Sequence, residues 1–302
     1  HHLYSSKKGY FVLDLVRGTG GFLVAAMHHM LNQTESNDQI TKDNVRKNQI
    51  YGIEIQNYMF TIATTNMILR GDGKSNLENT DFLRQNPAEL QLKGCNVGML
   101  NPPYSQGSSK NPDLYELSFT EHLLNSTVEG GRIAVIVPQS SMTGKTKTEK
   151  EIKRSILKKH TLEGVITLNK ETFYNVGVTP CIAIFTTGVP HKINKISKFI
   201  NFEDDGYKIS KHVGLVETIQ ARDKKQYLLD VWFDRIEAEN NFCVKTTVEE
   251  DDEWLHSFYY FNEEIPLQDA FEKTMADYLT FEFDMVLHGR EYLFNSDGDT
   301  NG

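Results

Sequence analysis

The sequence is poor in the features that mark several special classes of protein. It has three cysteines and eight prolines in 302 residues, and 39% of its residues are hydrophobic. This composition excludes disordered, collagen-like and disulfide-stapled proteins. The cysteines lie far apart, with no Cys-x-x-Cys pair and no histidine at metal-ligand spacing, so we expect buried thiols and no metal site.

Long apolar runs are also missing. No run approaches the ~20 residues that a membrane-spanning helix needs, and the first six residues, HHLYSS, contain no apolar signal stretch. We therefore expect a cytoplasmic protein with no membrane partner.

Charge is distributed unevenly along the chain. The net charge is −9, but residues 1–200 carry +6 and residues 201–302 carry −15. An acidic C-terminal region would repel phosphate, whereas the basic stretch 145–159 could lie along it. The same stretch could equally be the solvated face of a helix. The seven cations concerned are Lys145, Lys147, Lys150, Lys153, Arg154, Lys158 and Lys159.

Short β-rich runs alternate with helical patterns over the first 190 residues, which is typical of parallel strands joined by crossover helices. The last connection is too short for a crossover helix, so the seventh strand is predicted to be antiparallel. The polar stretch 32–48 is predicted to be a surface insertion, and 201–302 a mixed α/β extension. Predicted strands are 10–15, 49–54, 75–80, 96–100, 132–137, 161–168 and 181–187; predicted helices are 21–31, 56–70, 82–91, 112–126 and 147–159.

A glycine-containing turn follows the first predicted strand, in the stretch DLVRGTGG at 14–21. Glycines allow the backbone to turn and to approach a ligand closely, and the next helix offers N–H donors. Acids end the second and third strands, where ligands of open α/β sheets bind. We interpret this set as a site for an adenosyl group; its members are Asp14, Gly18, Thr19, Gly20, Glu54 and Asp81.

A second motif, Asn101-Pro102-Pro103-Tyr104, follows the fourth strand. Each proline holds the residue before it extended, which fixes the directions of the Asn101 carboxamide and the Pro102 carbonyl. Two acceptors on one aromatic amine favour the pyramidal form, whose lone pair can attack a methyl donor. Tyr104 offers a flat face for stacking a base, worth ~1 to 3 kcal/mol.

With these motifs, the chain resembles the amino-group DNA methyltransferases that form N6-methyladenine, and in particular the modification subunits of type I restriction-modification systems. The resemblance covers about residues 10–200 and extends to the stretches 130–147, 161–178 and 180–185. It implies an α/β, Rossmann-like S-adenosylmethionine-dependent methyltransferase sheet, with a catalytic domain at 1–200 and an acidic extension at 201–302.

The resemblance also implies roles and partners. Asn101, Pro102, Pro103 and Tyr104 would grip an adenine flipped out of DNA, with Asn101 also beside the cofactor, S-adenosylmethionine. Phe173 would contact the base from another side, although it could equally be a core residue. The implied partners are DNA, a specificity subunit and a second modification subunit, with a restriction subunit as a further one.

Two departures from the family pattern bear on activity. Leu15 and Arg17 stand where relatives carry proline and a small residue, and the chain begins only about ten residues before its first strand. We therefore expect the chain alone to bind cofactor weakly. Two other functions stay open: methylation of a glutamine side-chain amide in a protein, and a degenerate methyltransferase fold kept for assembly or DNA clamping.

Overall fold

The computed structural model describes residues 11–15, 20–35, 38–71, 76–91, 93–173, 177–210, 213–261 and 268–288. Contacts divide the chain into two compact units, residues 1–260 and 261–302. The strands are β1 Val12–Leu15, β2 Ile50–Ile53, β3 Leu77–Glu78, β4 Val97–Leu100, β5 Arg132–Pro138, β6 Thr161–Leu168, β7 Pro180–Thr186, β8 Ser197–Phe202, β9 Tyr207–Ser210, β10 Gly214–Glu217 and β11 Cys243–Thr246.

The helices of the described residues alternate with the strands in the first part of the chain. They are α1 Gly21–Asn32, α2 Gln39–Asn48, α3 Asn57–Leu69, α4 Pro87–Gln91, α5 Glu116–Ser126, α6 Gln139–Thr143, α7 Lys147–Lys159, α8 Ala221–Trp232, α9 His256–Tyr259 and α10 Gln268–Leu287. Short 3-10 turns occupy Phe82–Arg84 and Pro112–Leu114, inside two of the predicted helices. No helix of the described residues is long and apolar enough to cross a membrane.

One sheet of nine strands organises the first unit, in the order β11-β8-β6-β7-β5-β4-β1-β2-β3. The first six strands run parallel, and β7 runs antiparallel between β5 and β6. The predicted α/β fold, with six parallel strands and a reversed seventh, is therefore confirmed. Because the carboxyl ends of parallel strands share one edge, the loops that follow β1, β2, β3 and β4 meet there.

The sheet does not end at residue 200. Strand β8 pairs parallel with β6, and β11 pairs antiparallel with β8, which adds two strands beyond the seven expected. The boundary placed at residue 200 falls inside β8, since Ile200 has no exposed surface and lies in a core cluster with Val231 of α8. The polar composition after residue 200 gives no indication in the sequence that the sheet continues there.

The stretch 32–48 is not only a surface insertion. Its second half forms α2, which begins at Asp38, whose side chain accepts a hydrogen bond from the Thr41 N–H at 2.9 Å. Val45 of this helix is buried and packs with α1 and β2. The prediction missed this helix because its two apolar residues, Ile40 and Val45, lie five positions apart in a polar run and give no visible helical period.

Alternate residues of each strand pack into hydrophobic cores on opposite faces of the sheet. Val12 of β1 packs with α1 and α3, whereas its neighbour Leu13 belongs to a larger cluster that includes residues of α5 and α7. Because both faces are packed, the strands are held in register and their carboxyl ends are fixed in position. The candidate site depends on this.

Candidate active site

The motif Asn101-Pro102-Pro103-Tyr104 begins where β4 leaves the sheet. Strand β4 is paired on both sides, with β1 and β5, and the two prolines that follow it are buried. Asn101, Pro102 and Pro103 line a cavity of about 290 Å³ together with apolar residues that include Ile53 and Leu100. The structure therefore presents the carboxamide and the proline segment at the wall of a pocket, at the carboxyl edge of the sheet.

Tyr104 is anchored at one end and exposed on part of its ring. Its hydroxyl donates to the Ile136 carbonyl of β5 at 3.3 Å, and burial raises its pKa well above the usual range. The ring of Phe173 lies 6.1 Å from that of Tyr104, centroid to centroid, at an angle of 61°. The structure thus brings together the two aromatic side chains that the sequence assigned to the base.

Glu54 follows β2 and is held firmly. Its backbone N–H donates to Glu78 O at 3.0 Å and its carbonyl accepts from Thr80 N at 3.2 Å. Only 2% of the residue is exposed; Oε1 accepts from the Gln56 N–H at 2.6 Å, while Oε2 is buried with no partner among the described residues. An unpaired buried carboxylate oxygen is costly, so this atom is available to a hydrogen-bond donor.

Asp14 lies on β1 and is almost fully buried. Burial raises its pKa to about 8, the negative charge of Glu54 adds to the rise, and a hydrogen bond from the Leu23 backbone opposes it. Two acids therefore lie close enough at the ends of β1 and β2 to influence each other, and Asp14 is driven toward its neutral form. A donor or a cation placed beside them would favour the charged form.

The turn after β1 is described only at its end. Gly20 precedes α1 with a φ of +74°, and a Cβ there would contact the Ala63 Cβ at 3.4 Å, so glycine suits both the backbone and the space. Gly18, Thr19 and Arg17 lie outside the described residues.

Asp81 borders the same cavity as Asn101, but its oxygens have partners. One accepts from the Leu83 N–H at 3.1 Å and caps the short turn Phe82–Arg84, and the other lies 3.3 Å from Arg84 Nε. The two strand-end acids therefore differ in their hydrogen bonding. Both oxygens of Asp81 have partners within the adjacent turn, whereas Glu54 keeps one oxygen unpaired.

The loop after Tyr104 depends on a residue that the sequence did not reveal. Glu116, at the start of α5, is buried, and its Oε1 accepts from the Ser105 N–H at 2.6 Å. Ser105 has a φ of +58°, which is rare outside glycine. No spacing in the sequence connects these positions, because an acid in the first turn of a helix is ordinary.

The basic stretch on α7 is largely paired with protein groups. Lys153 is buried, and its Nζ donates to the carbonyls of Met142 at 2.9 Å and Asp252 at 2.5 Å. Arg154 forms ion pairs with Glu250 and Asp251. The acidic residues Glu250 and Asp251 therefore neutralise part of the surface that could have faced phosphate. The described residues contain no group of side chains suited to a metal ion.

Comparison with known proteins identifies the family. The model of the N-6 DNA methylase family matches residues 1–254. The chain belongs to this family. It is 50% identical over 293 residues to the type II restriction enzyme and methyltransferase RM.BcgI of Heyndrickxia coagulans, covering 97% of this chain and 46% of that protein. The EcoKI methylase subunit of Escherichia coli K12 is 26% identical over 202 residues, covering 62% of this chain and 38% of the subunit.

Solved structures agree on the fold. The methyltransferase subunit of a type I system from Streptococcus thermophilus superposes with a TM-score of 0.62 at 19% identity, over 80% of this chain and 51% of that one. The EcoKI M protein gives 0.58 at 20% identity, over 72% and 49%. The N-6 DNA methylase chain spans about half the length of the relatives it matches. The expected resemblance to type I modification subunits is confirmed; the individual site roles stay predictions.

Proposed function

We propose that this chain transfers the methyl group of S-adenosylmethionine to N6 of adenine in DNA. The observation that carries the proposal is the placement of Asn101-Pro102-Pro103-Tyr104 at the carboxyl end of β4, where Asn101, Pro102 and Pro103 line a pocket shared with Asp81. Membership of the N-6 DNA methylase family supports the substrate class. It also counts against the alternative of a glutamine-amide methyltransferase.

The residues fit the proposed cofactor. Oε2 of Glu54 is a buried acceptor without a partner, which suits a ribose hydroxyl. The cavity lined by its chain neighbours Ile53 and Ile55 combines apolar walls with Asp81 at its edge, which suits an adenine ring carrying one amino group. Bound there, S-adenosylmethionine would supply an electrophilic methyl group.

The reaction needs orientation more than acid–base chemistry. The adenine amine is a weak nucleophile because its lone pair is delocalised into the ring. The Asn101 carboxamide oxygen and the Pro102 carbonyl would accept its two protons and favour the pyramidal form. The amine attacks while neutral and loses its proton afterwards, so no general base is required before the attack.

The aromatic pair sets how a base can enter. A base sandwiched between two parallel rings needs about 7 Å between them, twice a stacking contact of ~3.5 Å. Tyr104 and Phe173 lie 6.1 Å apart and are inclined at 61°. We infer that the flipped base stacks on Tyr104 and that Phe173 contacts it from another side, moving outward as it enters.

Sequence choice is proposed to come from elsewhere. The chain is acidic overall, and the basic face of α7 is partly neutralised by residues 249–254. A specificity subunit and a second modification subunit, with a restriction subunit as a further component, are the partners we propose by analogy with the type I relatives.

One labelling experiment tests the proposal. The protein, purified with the polypeptides that accompany it in its host, is incubated with tritiated S-adenosylmethionine and unmethylated genomic DNA. Label recovered as N6-methyladenine supports the proposal. Label in protein would favour the glutamine-amide alternative, and label in neither would favour a degenerate assembly subunit. Asn101→Ala is expected to abolish methyl transfer, because only one acceptor for the adenine amine then remains. The dissociation constant for S-adenosylmethionine should stay within about threefold.

A further inference from the structure

The loop that carries Tyr104 is held in an unfavourable backbone conformation. Ser105 has a φ of +58°, in the left-handed region where the Cβ of any residue other than glycine is crowded. Two residues later, Gly107 passes so close to α5 that a Cβ there would lie 2.5 Å from the Tyr115 ring. The loop therefore packs closely against the start of α5, and its backbone conformation needs a stabilising contact.

Glu116 supplies that restraint. Its carboxylate is buried, Oε1 accepts from the Ser105 N–H at 2.6 Å, and Oε2 lies 3.4 Å from the hydroxyl of Ser141 on α6. A hydrogen bond to a charged acceptor is stronger than one between neutral groups. The side chain thus connects the elements after β4 and β5 and fixes the residue that follows Tyr104.

An acid at the first position of a helix has a more ordinary use, which is to cap the free N–H groups of its own helix. Glu116 is not used in this way: the residue before α5 makes no side-chain cap, and the hydrogen bonds of the Glu116 carboxylate go to Ser105 and Ser141. The direction of the carboxylate, away from α5 and toward the loop, is what separates a positioning role from a capping role.

We propose that Glu116 is a positioning residue for methyl transfer: it holds Ser105 in the left-handed conformation and so fixes the ring of Tyr104 and the Asn101–Tyr104 segment for the target base. The inference rests on the proposed function. It adds a residue that lies outside the motif and contacts neither substrate nor cofactor.

The first test compares two substitutions. Glu116→Gln keeps a carbonyl oxygen that can accept from Ser105, whereas Glu116→Ala removes it. We expect kcat for DNA methylation to fall about 100-fold in Glu116→Ala, the scale of a misplaced reacting group, and only about threefold in Glu116→Gln. The dissociation constant for S-adenosylmethionine, measured by calorimetry, should change less than about twofold in both.

The second test uses the backbone itself. Glycine adopts a positive φ at no steric cost, so adding Ser105→Gly to Glu116→Ala should restore kcat about tenfold. Because Ser105→Gly also relieves backbone strain and can stabilise the fold, kcat is measured per folded enzyme, below the melting temperature of every variant. A role limited to fold stability would then leave kcat unchanged in Glu116→Ala. Glu149→Ala is the matched control: Glu149 is also a buried acid bonded to a backbone N–H, at Thr146 of α7, and its loss should lower the melting temperature while kcat stays within about twofold.

The outcomes separate this inference from the proposed function. A wild-type protein that forms no N6-methyladenine refutes the proposed function. If the wild-type protein is active, then unchanged kcat in Glu116→Ala refutes the role of Glu116. Equal loss in Glu116→Ala with and without Ser105→Gly also refutes it, since the left-handed residue would then have no part in the effect.

Discussion

Glu54→Gln is the substitution that best distinguishes a cofactor ligand from a structural acid. The change keeps the shape of the side chain and leaves one oxygen to accept from the Gln56 N–H, as Oε1 does at 2.6 Å. It replaces the unpaired buried Oε2 with an NH2 group, which cannot accept a hydrogen bond from a ribose hydroxyl. Local structure should therefore survive, and only the acceptor is lost.

The expected magnitude follows from the burial of that oxygen. A hydrogen bond to a charged, buried acceptor contributes about 1.5 to 3 kcal/mol, so the dissociation constant for S-adenosylmethionine should rise about 10- to 150-fold. In the absence of ligand the substitution should stabilise the protein, because a neutral amide costs less to bury than an unpaired carboxylate. We expect the unliganded variant to gain about 1 kcal/mol, or roughly 2 °C in melting temperature.

Titration calorimetry and thermal melting of the same samples measure both effects. Glu149→Gln serves as the control, because this buried acid has its partners within the capping box of α7 and should leave cofactor affinity within about twofold. Unchanged affinity in Glu54→Gln would refute the ligand role. A large loss of unliganded stability would show that Oε2 supports the fold and has a partner in solution.

Three further substitutions address the other titratable groups. Folding raises the pKa of Asp14 from 3.8 to about 8, so its stabilising contribution is lost as the pH rises through that range; Asp14→Asn should gain stability over wild type between pH 5 and 8 in urea unfolding. Asp81→Asn keeps an acceptor for Leu83 and should weaken cofactor binding less than Glu54→Gln in the same calorimetry. Burial lowers the pKa of His160 from 6.5 to about 4, so stability is lost as the pH falls through that window; His160→Gln should flatten this acid loss in urea unfolding.

The sequence predicts the sheet well because its signals are local. The run 161–168 is buried along most of its length, and in 132–137 the alternate residues Ile133, Val135 and Val137 are buried, so their apolar, β-branched composition marks both runs directly. Strand β8, SKFINF, mixes polar and apolar residues and lies beyond the motif-rich region, directly before the acidic stretch that begins at Glu203. Its membership of the sheet depends on pairing with residues of β6 that lie 34 positions earlier in the chain, and such a pairing gives no local signal.

The residues of the candidate site could be predicted from the sequence, but the contacts between them could not. The motif at 101–104 and the strand-end acids follow from the positions of strand ends. Their neighbours do not: the bond from Ser105 to Glu116 joins residues eleven positions apart through a loop of unusual backbone. The contact of Tyr104 with Phe173 joins residues separated by two strands and three α-helices. Side-chain partners chosen by tertiary packing leave no periodic trace in the chain.

The buried acids of the first unit separate by whether their oxygens are paired. Glu116 and Glu149 each accept one hydrogen bond from a backbone N–H and one from a hydroxyl, that of Ser141 and that of Thr146. Each therefore stabilises the segment it touches. Glu54 retains a buried oxygen without a partner, and Asp14 beside it is driven toward the neutral form. A fold could remove that cost with apolar residues of similar size. Retaining an under-paired acid, Glu54, at the carboxyl edge of a sheet is reasonable only if a ligand completes its hydrogen bonds, and it is at this edge that Asn101 also lies.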